Sequence, residues 1–203
     1  MYLYLIHFVN LPIMETLKDT LLQLSSFSDQ EVEDIISHFK PVTLKKKGRF
    51  LTNGRVCRQI AYVEKGSLIY LQTSPEGDHI AIDFAFEGEF VAYLQSFLTE
   101  TPADIDIIAN EPTHLLVISK ERLYHLYEKY SKMERIGRLL LEEGLMKMAK
   151  GRTIFQTMDN RERYLYVMKH SSKILERIPQ YHIATYLGIK PESLSRIRRS
   201  LTQ

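Results

Sequence analysis

The run QYHIATYLGIKPESLSRIRRSL, residues 180–201, concentrates recognition chemistry. Lys190, Glu192, Arg196, Arg198 and Arg199 put four cations and one carboxylate into ten residues. The planar fork of arginine matches the O6 and N7 edge of guanine, and glutamate can accept from the cytosine amino group. A helix-turn-helix that carries such contacts needs a small residue where its helices cross, a glycine to open the turn, and apolar residues locking the second helix onto the first. Ala184 is the small residue, Gly188 follows four positions later, and Ile183, Leu187, Ile189, Leu194 and Ile197 fall at the packing positions. Pro191 suits the first turn of the second helix, where its missing N–H would have no partner. With Leu194, Ile197 and Leu201 turned inward, helical geometry puts Glu192, Ser195, Arg196 and Arg199 on the opposite face. Glu192, Ser195 and Arg196 are therefore expected to meet base edges. Lys190, Arg198 and Arg199 are expected to meet phosphates, where cations add salt-dependent affinity without sequence preference.

The charge of the whole chain conceals this concentration. The 203 residues hold 27 Lys and Arg against 25 Asp and Glu, a net +2. Residues 1–130 carry 12 basic and 18 acidic side chains, a balance of −6, whereas residues 131–203 carry 15 and 7, a balance of +8. An acidic front and a basic back imply two functions, with double-stranded DNA as the expected partner of the back. A hydrophobic fraction of 44% excludes a disordered chain. The single cysteine, Cys57, can form neither an internal disulfide nor a zinc site, so a reducing cytoplasm is the expected compartment. No apolar run approaches the roughly 18–20 residues that span a bilayer. The sequence has no phosphate-binding glycine loop with its lysine, no nucleophile elbow and no short metal-ligand spacing among its seven histidines. No catalytic activity, cofactor or metal is expected.

Along the chain, Leu17, Leu21 and Leu24 are spaced for a helix. Ser28 then reads as an N-cap with Glu31 three residues on, ahead of Val32, Ile35, Ile36 and Phe39, before Pro41 closes the run. Residues 1–13, MYLYLIHFVNLPI, read as an appended extension or misassigned start, or else as a peripheral cap on the first domain. From residue 42 to 119 glycines punctuate short runs rich in Ile, Val, Tyr and Phe, the pattern of an antiparallel sandwich or barrel. Helical spacing resumes at Lys120, breaks near residues 129–132 and continues as a rod. Its stripe Met133, Ile136, Leu140 and Gly144 suits either the chain's own core or a second copy. Further helices are expected over residues 159–170, 180–187 and 191–201. The fold class is α+β: a jelly-roll-like antiparallel β-roll within residues 14–130, a dimerisation helix over 131–157, and an all-α helix-turn-helix domain over 158–203.

Together these motifs resemble the Crp/Fnr transcription regulators. The resemblance rests on the turn Gly88-Glu89-Phe90, the long helix, and Glu192, Ser195, Arg196 and Ile197 in the recognition helix. It implies a homodimer whose recognition helix reads bases through its second and sixth residues, Glu192 and Arg196. Pro191 stands where several members carry an Arg, so a different half-site is expected. The sequence runs only to Gln203, so phosphate contacts through a β-hairpin wing are not expected. The resemblance also implies an effector pocket at Gly88, Glu89, Phe90, Tyr93, Ala103 and Asp104. Cyclic-nucleotide-binding members hold the phosphate with an Arg that Ala103 replaces here, and no Arg or Lys occurs between Lys65 and Lys120. A phosphodiester buried beside Asp104 and Asp106 without a cation would be disfavoured by several kcal/mol. The expected effector is therefore not cAMP or cGMP. Phe86, Glu89, Phe90, Tyr93 and Phe97 suit a largely apolar ligand or a filled core. The alternative function is a cyclic-nucleotide sensor acting through protein contacts rather than DNA, which needs the missing cation.

Overall fold

Two side-chain caps start the first two helices. The structure, a computed structural model, describes residues 16–201 apart from the side chain of residue 147. The expected extension over residues 1–13 lies outside the described residues. Thr16 accepts from the Asp19 amide to begin α1 (Leu17–Leu24). Ser28 and Glu31 form the reciprocal capping box of α2 (Asp29–Ser37).

The glycine-punctuated runs become eight strands: β1 (Lys40–Leu44), β2 (Arg49–Leu51), β3 (Gln59–Lys65), β4 (Leu68–Thr73), β5 (His79–Ala85), β6 (Phe90–Val91), β7 (Ile105–Ala109) and β8 (Thr113–Ser119). They pair into two four-stranded antiparallel sheets, ordered β1-β8-β3-β6 and β2-β7-β4-β5, and α3 (Leu94–Thr99) interrupts them. Gly66 makes the β3–β4 turn at φ +101, and a Cβ there would lie 2.6–2.7 Å from Thr113 and Pro112. Tyr62, Leu68, Ile105, Ile107 and Leu115 fill the core with no appreciable exposure.

The Tyr62 hydroxyl, deep in that core, lies 2.9 Å from Thr20 Oγ1 and so ties α1 to β3. A Thr20→Val substitution keeps the shape but strands the tyrosine hydroxyl. The urea midpoint should fall by an amount worth about 1–2 kcal/mol, and an unchanged midpoint would show that this tie is not a stabilising one.

After β8, Ser119 caps α4 (Lys120–Lys129), the chain turns at Tyr130, and α5 (Ser131–Thr157) runs for 27 residues, about 40 Å. The joint is pinned to α2. Asp34 accepts from Lys129 Nζ and Tyr130 Oη, each at 2.9 Å, and Lys132 meets Glu31 at 3.0 Å. Those two donors hold the Asp34 carboxyl below its ordinary range. Of the two occupants open to the stripe Met133, Ile136 and Leu140, the fold takes the intramolecular one: Met133 and Ile136 are buried in the roll's core and Leu140 packs against it. A different apolar row, Leu141, Leu145 and Met148, is left facing outward, about 100° round the helix.

Four helices complete the described chain: α6 (Asn160–His170), α7 (Ser172–Arg177), α8 (Gln180–Leu187) and α9 (Pro191–Leu201). No described helix is long and apolar enough to cross a membrane.

Candidate functional site

The turn between α8 and α9 is closed by backbone geometry. Gly188 takes φ +69 as the C-cap of α8, its N–H bonding Thr185 O at 3.1 Å while Ile189 N–H bonds Ala184 O at 3.0 Å. This left-handed closure satisfies the last carbonyls of α8 and turns the chain into α9. The Lys190 carbonyl then accepts the Ser193 and Leu194 amides, starting α9. Ile183, Ala184, Leu187, Ile189 and Leu194 are buried together, with Ile197 and Leu201 packed against them. Glu192, Ser195, Arg196 and Arg199 are exposed on the other side, as is Lys190, and Arg198 is half-buried at the margin. The expected base-reading residues thus share one open helical face.

Arg163 braces this unit to the rod. Its guanidinium donates to Phe155 O at 2.8 Å and Met158 O at 3.0 Å, at the end of α5, and to Leu187 O at 3.3 Å, at the end of α8. A cation suits the carbonyl ends of both helices. The α8–α9 unit is therefore tied to the end of the rod.

The helical domain is also seated on the roll. Tyr186 of α8 sets its ring edge-on to Phe84 of β5 at 4.9 Å, and Thr185 Oγ1 accepts from the Ala81 amide at 3.1 Å. Ile69, Leu71, Ala81, Phe84 and Phe86 share one apolar cluster with the buried face of α8. At its edge Arg177 of α7 meets Glu87 at 2.7 and 2.8 Å and Glu111 at 2.5 Å. Lys173 stands 3.6 Å from Glu87, and Asn110 Nδ2 donates to the Arg177 carbonyl at 3.2 Å. Burial pushes the Glu87 carboxyl up, but donation from Arg177 and from backbone amides, including Gly66 N–H, overcomes this and holds it at about 2. Among the described residues the fully buried Tyr186 hydroxyl has no hydrogen-bond partner, and burial pushes its pKa well above the ordinary value. Sequence spacing does not single out Arg163, Arg177, Glu87, Glu111 or Tyr186. α7 has six residues, too few to establish a helical period, and the partners of Arg177 lie 66 and 90 residues away.

The residues expected to form an effector pocket are engaged mostly by their neighbours in the roll. Gly88 N–H bonds Val63 O at 3.0 Å, and the Glu89 carboxylate folds back to accept from the Phe86 amide at 2.9 Å. Phe90 meets the Tyr62 ring edge-on at 5.2 Å. Tyr93 Oη donates to Asp104 at 2.6 Å, and Gln72 reaches the same carboxylate at 3.3 Å. Ala103 is buried and its backbone pairs with Gly54 and Arg55. Contrary to the expectation from local composition, Asp106 is not an uncompensated charge, because β2 brings Arg49 into an ion pair with it. Tyr70 occupies the interior nearby, and burial raises its hydroxyl pKa well above ordinary. Cys57 is buried, its thiol pushed up by desolvation and donating to Gln59 O at 3.4 Å. Among the described residues no group of three His, Cys, Asp or Glu is placed to hold a metal ion.

The chain thus combines a two-sheet roll, a long helix and a helix-turn-helix seated back on the roll. Residues 41–130 match the family model for the cyclic nucleotide-binding domain. The c-di-GMP-responsive global regulator CLP of Xanthomonas campestris superposes with a TM-score of 0.68 at 18% identity, covering 86% of this chain and 92% of its own. The catabolite activator protein of Thermus thermophilus superposes with a TM-score of 0.57 at 20% identity, covering 87% and 84%. A protein described as a transcriptional regulator of the Crp/Fnr family from Eubacterium rectale gives 0.65 at 16% identity, covering 87% and 84%. No curated protein matches the sequence. Over most of its length the chain has the fold of the Crp/Fnr regulators, with the family-model match confined to the β-roll and its flanking helix.

Proposed function

We propose that the chain is a homodimeric transcription regulator of the Crp/Fnr type that binds double-stranded DNA sequence-specifically through α9. The observation that carries this reading is the open face of α9. Glu192, Ser195 and Arg196 stand exposed above the buried Leu194, on a helix fixed by the Gly188 closure and the Arg163 brace. Arg196 reads guanine, Glu192 and Ser195 contact neighbouring base edges, and Lys190, Arg198 and Arg199 hold phosphates. Two copies would set their α9 helices about one DNA turn apart, roughly 34–36 Å.

The roll acts as the sensor by population shift: whatever binds one arrangement of the helical domain better moves the recognition helices. The effector is neither cAMP nor cGMP. Supporting this, the carboxylate of Glu89 is folded onto its own turn, Ala103 offers no cation where the resemblance puts the phosphate-binding Arg, and the adjacent Asp104 adds a negative charge held by Tyr93.

Fluorescence anisotropy on the duplex of highest affinity recovered from a random-sequence pool tests the reading. Arg196→Ala should weaken that complex by roughly 1–3 kcal/mol and relax preference at one base pair. Arg199→Ala should weaken binding to selected and mixed-sequence DNA alike and reduce the salt slope by about 1. Equal losses on both kinds of DNA for both variants would refute the assignment. Tight cAMP binding by calorimetry without any DNA complex would favour a sensor acting through protein contacts instead.

A further inference from the structure

Strand β5 is the outermost of its sheet, paired with β4 on one side only. Helix α8 packs along it. The Ala81 amide of β5 donates to Thr185 Oγ1 at 3.1 Å, and that hydroxyl donates in turn to the His182 carbonyl at 3.1 Å. On either side of this link α8 buries a polar atom that has no hydrogen-bond partner among the described residues: His182 Nδ1 and Tyr186 Oη. The two side chains are one helical turn apart and so share a face. Phe84 of β5 meets Tyr186 at one end of the contact, and His79 of β5 acts on His182 at the other.

Acid affects these two atoms differently. The Tyr186 hydroxyl stays neutral, its pKa lying well above the ordinary value. Neutral His182 can leave Nδ1 unprotonated, whereas its imidazolium carries a proton on both ring nitrogens. Protonation therefore adds a charge and a buried donor without an acceptor, both of which are disfavoured away from water. Burial first, then the His79 imidazole, hold the His182 pKa below its ordinary value, and among the described residues no carboxylate offsets them. Asp83, on the same strand, acts on Tyr70 and Tyr186. On α7, Lys173 and Arg177 are turned to Glu87 and Glu111. On α6, Arg163 is bound at the ends of α5 and α8, and His170 to the Tyr166 carbonyl. On α9, Glu192, Arg196 and Arg199 stand on the open outer face.

We infer that His182 is a proton-operated latch: protonation of its ring, beside His79, releases the helical domain from the roll. In the released domain the ring is hydrated and takes its ordinary pKa of 6.5, so docking is held in full above that value and weakens as pH falls below it. A protonated His79 facing the ring adds repulsion. Glu87, held at about 2, keeps its charge throughout this window, so mild acid acts at the histidine end alone.

Hydrogen exchange of the full chain between about pH 7.5 and about pH 5.5, corrected for the pH dependence of free amides, tests the latch. Protection of the Ala81 amide should fall severalfold across that window. The Val63 amide, bonded to Glu89 O within the roll at 3.0 Å, should keep its protection. His182→Gln remains polar but does not titrate, and should leave Ala81 protection level with pH. His79→Gln, at an exposed strand end, should shrink the fall without disturbing the fold. Constant Ala81 protection in the parent, a fall that persists in His182→Gln, or a loss shared by Val63 overturns the latch. If His182→Gln docks poorly at every pH, His79→Gln decides, and an undiminished fall there overturns it. Each measurement reads docking, so the DNA-binding reading stands whatever the result.

Discussion

An Arg177→Met substitution should release the helix-turn-helix unit from the β-roll. The guanidinium is the hub of that docking: it bridges Glu87 and Glu111, on two different turns of the roll, and lies 5.3 Å from the Phe86 ring centroid. Methionine keeps the stem's apolar packing but leaves two carboxylates facing each other across the vacated position. Removing one partner of a buried pair costs about 3–5 kcal/mol. Because Arg177 and Glu87 are each about one quarter exposed (26%), the lower end, about 3 kcal/mol, is appropriate. That is more than a hundredfold in the ratio of docked to undocked chains. Hydrogen exchange at Ala81, whose amide is bonded to Thr185 across the junction, should accelerate accordingly, and unchanged protection there would refute the hub role.

Acid should reproduce the effect in the parent. Glu87 is held at about 2 against an ordinary 4.5. Its contribution is therefore complete above pH 4.5 and is lost as pH falls toward 2. In the Arg177→Met chain that acid-dependent step should shrink. A Tyr186→Phe variant should move the same amide the opposite way, since the hydroxyl it removes is buried without a partner among the described residues, a burden of about 1–3 kcal/mol. Docking that can be loosened or tightened by single side chains is what a sensor needs if it is to bias the orientation of a reading helix.

How much of this is legible in the sequence depends on how far apart the cooperating residues lie. The α8–α9 unit is fully legible, because Ala184, Gly188, Leu194 and Ile197 constrain one another within fourteen residues, and the observed closure at Gly188 follows that spacing. The roll is legible as a region: strands span Lys40 to Ser119 where residues 42–119 are expected. The docking of the two is not, since Arg177 gathers its carboxylates from turns 66 and 90 residues earlier. Local charge counting misleads for the same reason. The interval from 66 to 119 lacks cations, yet Arg49 crosses 57 residues to neutralise Asp106. On α5, periodicity identifies apolar stripes but cannot say which one the roll covers. Met133 and Ile136 go inward, and the outward row is the neighbouring one.

That outward row carries the last expectation: Leu145→Glu should convert a dimer into a monomer. Leu141, Leu145 and Met148 are 47%, 66% and 36% exposed and lie four and three residues apart on one face. Rows at that spacing on two rods can interdigitate as a helical pair. Burying a leucine side chain contributes about 1.5–3 kcal/mol, so a few such residues from each copy can hold a pair together. Glutamate forms helix nearly as well as leucine and here replaces an exposed side chain, so the melting of the monomer unit should not suffer. In a pair related by a two-fold axis along the rods, however, the substitution places two carboxylates in what would be an apolar seam. Sedimentation should report a single chain. Affinity for a palindromic duplex should fall by about 10²- to 10⁴-fold, the loss expected when two linked binding events become independent, while affinity for an isolated half-site stays as it was. Intact dimers in the variant would place the interface elsewhere. A dimer lost without any loss of palindrome preference would separate the rod from DNA recognition, because in the proposed dimer the spacing of the two α9 helices would follow the pairing of the rods to which Arg163 braces the α8–α9 unit.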